Sequence, residues 1–265
     1  MRKYRQIFKL TLQEYLAYRL NFFLWRFRSL VFTLTLLFFW LAVYGNQKTL
    51  FGYERAQMFT YLLGVVFLDG LILASRTADL APQLRSGELS KYLLRPIGLF
   101  KFLLARDMAD KALNLLFAVL EIGVLIMLLN FSFYFPQTFL EWGLFILQLI
   151  ISFFLYFFLS LAISLTAFWT EEIWATRWLL GVVLLDFFSG VIFPIDILPS
   201  SVAKLFYLTP FPYLIFSPLK IWLGQVSVRV ALSSILVTFI WGAAFYYLSM
   251  SLWQKGTRKY GAFGG

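Results

Sequence analysis

The sequence predicts an all-α integral membrane protein. It has six transmembrane helices, an N-terminal amphipathic interfacial helix and a re-entrant helical hairpin before the last span, with both termini cytoplasmic. Three observations lead there. Hydrophobic residues fill 61% of the 265 positions and charged residues only 14%, whereas a globular domain is nearer half apolar and a quarter charged. Mean hydropathy is +0.80. An aromatic share of 21%, with 32 Phe, exceeds what one soluble core can hide. Six spans of about 20 residues consume roughly 120 positions and leave chain for short loops and one longer connection. Residues 1–265 thus read as a single transmembrane domain.

Apolar runs at 29–44, 58–74, 112–129, 142–169, 178–193 and 230–250 mark the six spans. The first follows a basic stretch, as a signal peptide would, but no small-residue cleavage site follows it. It reads as a retained span entered from around Leu20. Trp25, Trp40, Trp142, Trp169, Trp178 and Trp253 lie near the proposed ends, as an interfacial aromatic belt requires.

The basic residues set the orientation. Eighteen of the 23 Lys and Arg fall before the first span, in the connection 75–111, at Arg177, or at Lys255, Arg258 and Lys259. The alternate segments hold five: Lys48, Arg55, Lys204, Lys220 and Arg229. Basic residues accumulate on the cytoplasmic side, so both termini belong there. The same distribution explains the net charge of +10 without a nucleic-acid partner, because the cations flank apolar runs and form no patch in a soluble domain.

Three segments do not span. In 2–18, Tyr4, Ile7, Phe8, Thr11, Tyr15 and Tyr18 recur at helical spacing, with Arg2, Arg5, Lys9 and Gln13 opposite. Such a helix lies in the cytoplasmic interface with its basic side among lipid headgroups. The connection 75–111 carries seven basic residues together with Asp79, Glu88, Asp107 and Asp110, and Pro82, Gly87 and Pro96 punctuate it into short helical pieces. That mixture suits docking of a soluble protein. Segment 194–218 holds Pro194, Pro199, Pro210, Pro212 and Pro218, yet it is too apolar for a solvated loop. Broken helices at membrane depth are tolerated only against protein or a cavity, so this segment reads as re-entrant.

With no Cys and no His, the chain lacks thiol catalysis, disulfides, imidazole acid–base chemistry and Cys or His metal sites. It contains no G-x-x-x-x-G-K-[ST] loop to hydrolyse nucleotide and no G-x-S-x-G elbow. What remains is three acids inside apolar runs: Asp69, Glu121 and Asp186. An intramembrane carboxylate is costly and marks a functional position by default. These three either pair with cations on neighbouring helices, face a protein interface, or serve as proton-relay or substrate contacts.

The stretch Arg85-Ser86-Gly87-Glu88-Leu89-Ser90-Lys91-Tyr92-Leu93-Leu94-Arg95-Pro96-Ile97 is similar to the R-x-G-x-L-x-x-Y-L-L-x-P-I cytoplasmic stretch of the type-2 ABC permease family. Phe193-Pro194 through Leu198-Pro199, followed by Thr209-Pro210 and Gly224, is a second match, and Lys259-Tyr260-Gly261 with Gly264-Gly265 resembles a subgroup of that family. The resemblance covers nearly the whole chain. It implies the permease of an ATP-driven exporter that dimerises with a second permease chain, the same or different, and engages ABC ATPase subunits, two copies or a related pair. ATP and Mg would be bound by those partners and no cofactor by this chain.

By the same resemblance, 82–96 supplies the coupling helix, with Arg85, Gly87, Glu88, Lys91 and Arg95 at the ATPase and Glu171 and Glu172 as a smaller contact. Helix 2–18 corresponds to the connecting helix, and Pro194, Pro199, Pro210 and Pro212 to a re-entrant external gate. Spans one, two and five would line the dimer path, the cargo would be amphipathic or lipid-like, and the location would be the bacterial cytoplasmic membrane. The leading alternative is an ion-coupled secondary transporter working through Asp69, Glu121 and Asp186. Against it, the chain shows no internal repeat of the kind that builds many such transporters. A membrane enzyme would lack clustered catalytic groups, and an anchor subunit would still use the 75–111 connection.

Overall fold

Without water in the bilayer core, a chain this apolar must satisfy its backbone internally, and helices do so one segment at a time. The computed structural model describes residues 2–88, 98–170 and 178–260. Helix α1 (Arg2–Ala17) leads directly into α2 (Arg19–Tyr44), and a two-strand hairpin of β1 (Thr49–Leu50) and β2 (Tyr53–Glu54) turns the chain. Helix α3 (Arg55–Leu68) runs on as a π-helical turn, Asp69–Leu73, and the backbone becomes extended at Ala74 and Ser75. A 3-10 turn (Arg76–Asp79) and α4 (Leu80–Arg85) follow. Next come α5 (Leu99–Leu129) and α6 (Phe139–Leu165), the latter opened by a Thr138–Glu141 capping box.

A second π turn, Leu179–Val183, passes into the short α7 (Leu184–Phe188). Short helices α8 (Ser200–Tyr207) and α9 (Phe216–Trp222) precede the final α10 (Val228–Tyr260).

Among the described residues, five helices are long and apolar enough to cross a membrane: Arg19–Tyr44, Arg55–Leu73, Leu99–Leu129, Phe139–Phe168 and Val228–Lys259. Six spans were expected. The remaining expected span, 178–193, follows residues 171–177, which lie outside the described residues; its described helix ends at Phe188, and Gly190 turns the chain at φ +89°. The connection 75–111, expected as short helical pieces, is more regular towards its end. Residues 99–111 instead form the first three turns of α5, and they bury Arg106, Asp107, Asp110 and Lys111. Charges that looked solvated in the sequence are answered by neighbouring elements, so they do not break the helix.

The proline-rich segment is helical, but its prolines do not interrupt helices. Pro194, Pro199 and Pro210 each sit immediately before a short helix, and Pro212 lies within the Phe211–Tyr213 turn. At a helix start the missing N–H has no partner to lose. Helix α9 is buried from Phe216 to Ile221, against α3 and α6. The fit to α3 is close enough that a Cβ on Gly64 would stand 2.5 Å from Leu219. Gln148 of α6 is fully buried, with its amide nitrogen 3.1 Å from the Tyr213 carbonyl and 2.9 Å from Thr238 Oγ1 of α10. Ser152 donates to the same carbonyl at 2.6 Å. The short helices are thereby tied to α6 and α10 by hydrogen bonds, each worth about 0.6 to 2 kcal/mol between membrane helices.

Helix α1 lies on α5 with Ile7 and Thr11 buried and Tyr4, Phe8 and Tyr15 half-buried, which is the face its spacing marked; Tyr18 is exposed.

Candidate functional site

A cavity of about 1010 Å³ opens among α1, α2, α3 and residues 182–191, with α5 and α6 contributing to its wall. One end is formed by the segment after the first π turn: Arg76, Ala78, Asp79, Pro82 and Gln83. The walls further in are apolar and aromatic, including Phe22, Trp25, Phe32 and Leu62. The cavity's charged groups include Asp69, the first residue of one π turn, and Asp186, three residues beyond the other. A π turn inserts an extra residue into the helical register and frequently accompanies a functional position.

The three intramembrane acids meet different fates. Glu121 of α5 is ion-paired with Arg26 of α2, so α2 supplies the cation that a carboxylate there needs. Asp69 and Asp186 both reach the cavity, and neither carboxylate has an ion-pair or hydrogen-bond partner among the described residues. They lie within electrostatic reach of each other and of Arg28, whose guanidinium rests 5.2 Å from the Trp25 ring centroid.

Where α3 ends, the contacts are dense. Lys111 donates to the carbonyls of Ile72 and Ala74. Asp107, one helical turn earlier on α5, accepts from the Arg76 amide at 2.6 Å and the Ser75 hydroxyl at 2.9 Å. One helix therefore caps both sides of the break, a cation on the carbonyl end and a carboxylate on the amide end, as helix termini require. Arg76 pairs with Asp79 at 3.0 Å and lies 4.3 Å from the Tyr15 ring centroid of α1, and Arg106 pairs with Glu14 at 2.8 Å. Helix α1 is thus fastened to the start of the 76–88 segment.

Of the expected coupling residues, Arg85 is exposed at the end of α4, Gly87 takes φ +76°, and the Glu88 amide donates to the Gln83 carbonyl at 3.1 Å. Lys91, Arg95, Glu171 and Glu172 lie outside the described residues. Among the proline positions, Pro194, Pro210 and Pro212 are buried and Pro199 is exposed.

The sequence reading missed a polar cluster around Lys220. This lysine is buried and donates to Asp196 at 2.7 Å, to the Tyr53 hydroxyl at 3.1 Å and to Gln225. Tyr53 donates to Asp196 at 2.8 Å. Burial and the neighbouring carboxylate push the Tyr53 phenol far above its ordinary value, so it remains a donor. Lys220 had been counted only as a loop charge; its place six residues before the end of a strongly apolar stretch was the available signal.

No curated protein matches this sequence. A family model described as ABC-2 family transporter protein matches residues 30–264. The chain belongs to the ABC-2 transporter family and is a multi-pass membrane permease subunit of an ABC transporter.

Proposed function

We propose that this permease forms one half of a dimeric translocation path in an ATP-driven exporter of amphipathic substrates, located in the bacterial cytoplasmic membrane. The family generally works with an ABC ATPase partner; here those subunits would bind ATP and Mg and seat the 80–88 segment. The observation that carries this reading is the continuity of one cavity from Arg76–Gln83 to Asp69 and Asp186. A push on the segment after Ser75 reaches α3 through the Asp107–Lys111 cap, and that break is where a rigid-body motion would enter the spans. The proline-bounded short helices, with Pro194 at their start, would form the re-entrant outer gate, and both termini would be cytoplasmic.

Mild-detergent purification of the tagged chain from its native membrane tests the reading. Co-recovery of an ATPase subunit is expected, either with a second permease chain or with two copies of this one. Glu88→Ala should lower stimulated ATP hydrolysis without dissolving the permease; unchanged stimulation in that variant would contradict the docking role. The unpaired Asp69 and Asp186 favour one second reading, ion-coupled transport. Transport by the purified chain alone, driven by a proton or sodium gradient without ATP, would support it and displace the first.

A further inference from the structure

The charge on the cavity wall runs against the charge on the chain. The whole sequence carries 23 basic residues and 13 acidic ones. Among the described residues, the cavity is lined by five carboxylates, Glu14, Asp69, Asp79, Asp110 and Asp186, against four arginines and no lysine. Near the far end the contrast sharpens. Asp69, Glu121 and Asp186 share Arg26 and Arg28, three carboxylates against two guanidiniums, while Lys111, also within reach of Asp69, is engaged by Asp107; that region carries one negative charge in excess. Tyr15, Phe22, Trp25 and Phe32 contribute aromatic faces to the same wall, and aromatic faces attract cations as well as apolar bodies.

We propose that the cavity is a binding site for an amphiphilic organic cation, whose charge is received by Asp69 and Asp186 and whose apolar body lies against the α2 aromatics. The proposal deepens the exporter reading by naming its substrate class. Neither carboxylate has a partner among the described residues, so a cationic ligand supplies the counter-charge the fold withholds. An anionic amphiphile of the same shape would add to an existing excess of negative charge. The two π turns place both acids on the wall from separate elements, which lets them approach one ligand from two sides.

The test uses two probes of nearly identical shape and opposite charge, tetraphenylphosphonium and tetraphenylborate. Their binding to the purified full-length permease in lipid nanodiscs is measured by equilibrium dialysis against empty nanodiscs. Saturable binding of the phosphonium and none of the borate is expected. Asp69→Asn and Asp186→Asn should each weaken phosphonium binding about tenfold, while Arg28→Gln should tighten it severalfold, an outcome a misfolded variant would not give. Borate binding equal to phosphonium binding, or phosphonium binding indifferent to all three substitutions, would overturn the proposal. The measurement needs no ATPase, so failure of the ATP-driven reading would leave its result standing, and the converse also holds.

Discussion

At the Ala74 end of the 69–73 turn, exposed backbone groups and buried charges are matched: Lys111 takes the carbonyls, Asp107 takes the amide and hydroxyl, and the two lie 3.7 Å apart. At the other end of the same turn, Asp69 faces the cavity without a partner among the described residues. The two ends are about one helical turn apart, one met by charges from α5 and the other carrying its own carboxylate. The difference separates structure from function: a charge that holds a helix break must be paired, whereas a charge held ready for a ligand is left open. The Lys220–Asp196–Tyr53 cluster belongs to the first kind, since its members answer each other within the chain.

Stability measurements can break this comparison. The largest effect is expected for Lys111→Met. It strands Asp107, whose side chain is fully buried, and removing one partner of a buried pair costs about 3–5 kcal/mol. Thermal unfolding of the detergent-solubilised protein reads this directly; a change below about 1 kcal/mol would mean the break is held by packing alone. Lys220→Met should cost less, about 2–3 kcal/mol, because the Asp196 side chain is 34% exposed and keeps some water. Gly190→Ala should cost about 2 kcal/mol. Gly190 adopts φ +89°, and an added Cβ would stand 2.6 Å from the Tyr61 hydroxyl, which donates to the Gly190 carbonyl. The smallest effect is expected at Asp69→Asn and Asp186→Asn, within about 1 kcal/mol of the parent, because no ion pair is lost. A loss comparable to Lys111→Met at either acid would erase the distinction.

Those expectations also mark what the sequence could and could not reveal. Hydropathy located the long helices because a bilayer admits few alternatives, and the apolar face of 2–18 was legible from its spacing alone. The helical start of α5 was not, because Arg106, Asp107, Asp110 and Lys111 resemble a solvated loop until their partners at Glu14, Ser75, Arg76 and Ala74 are known. Pairing across 95 residues, as between Arg26 and Glu121, leaves no local trace. Neither do the π turns, which follow from how α3 and residues 179–183 pack. Prolines were informative about where helices are short, but they start those helices, a distinction that depends on which backbone N–H groups need a partner. All three intramembrane acids could be found from sequence; which of them stays unpaired required the fold.

The central claim is that one aqueous cavity joins the Arg76–Gln83 segment, proposed to face the ATPase, to the intramembrane acids. Because the chain has no Cys, Ala78→Cys and Asp69→Cys each provide a unique thiol. The decisive measurement is labelling of both by a membrane-impermeant thiol reagent in inside-out vesicles containing the ATPase, with and without nucleotide trapping. The account predicts labelling at both positions in the resting state and a parallel fall when nucleotide is trapped. Labelling at Ala78→Cys with none at Asp69→Cys, or labelling indifferent to nucleotide, would contradict it.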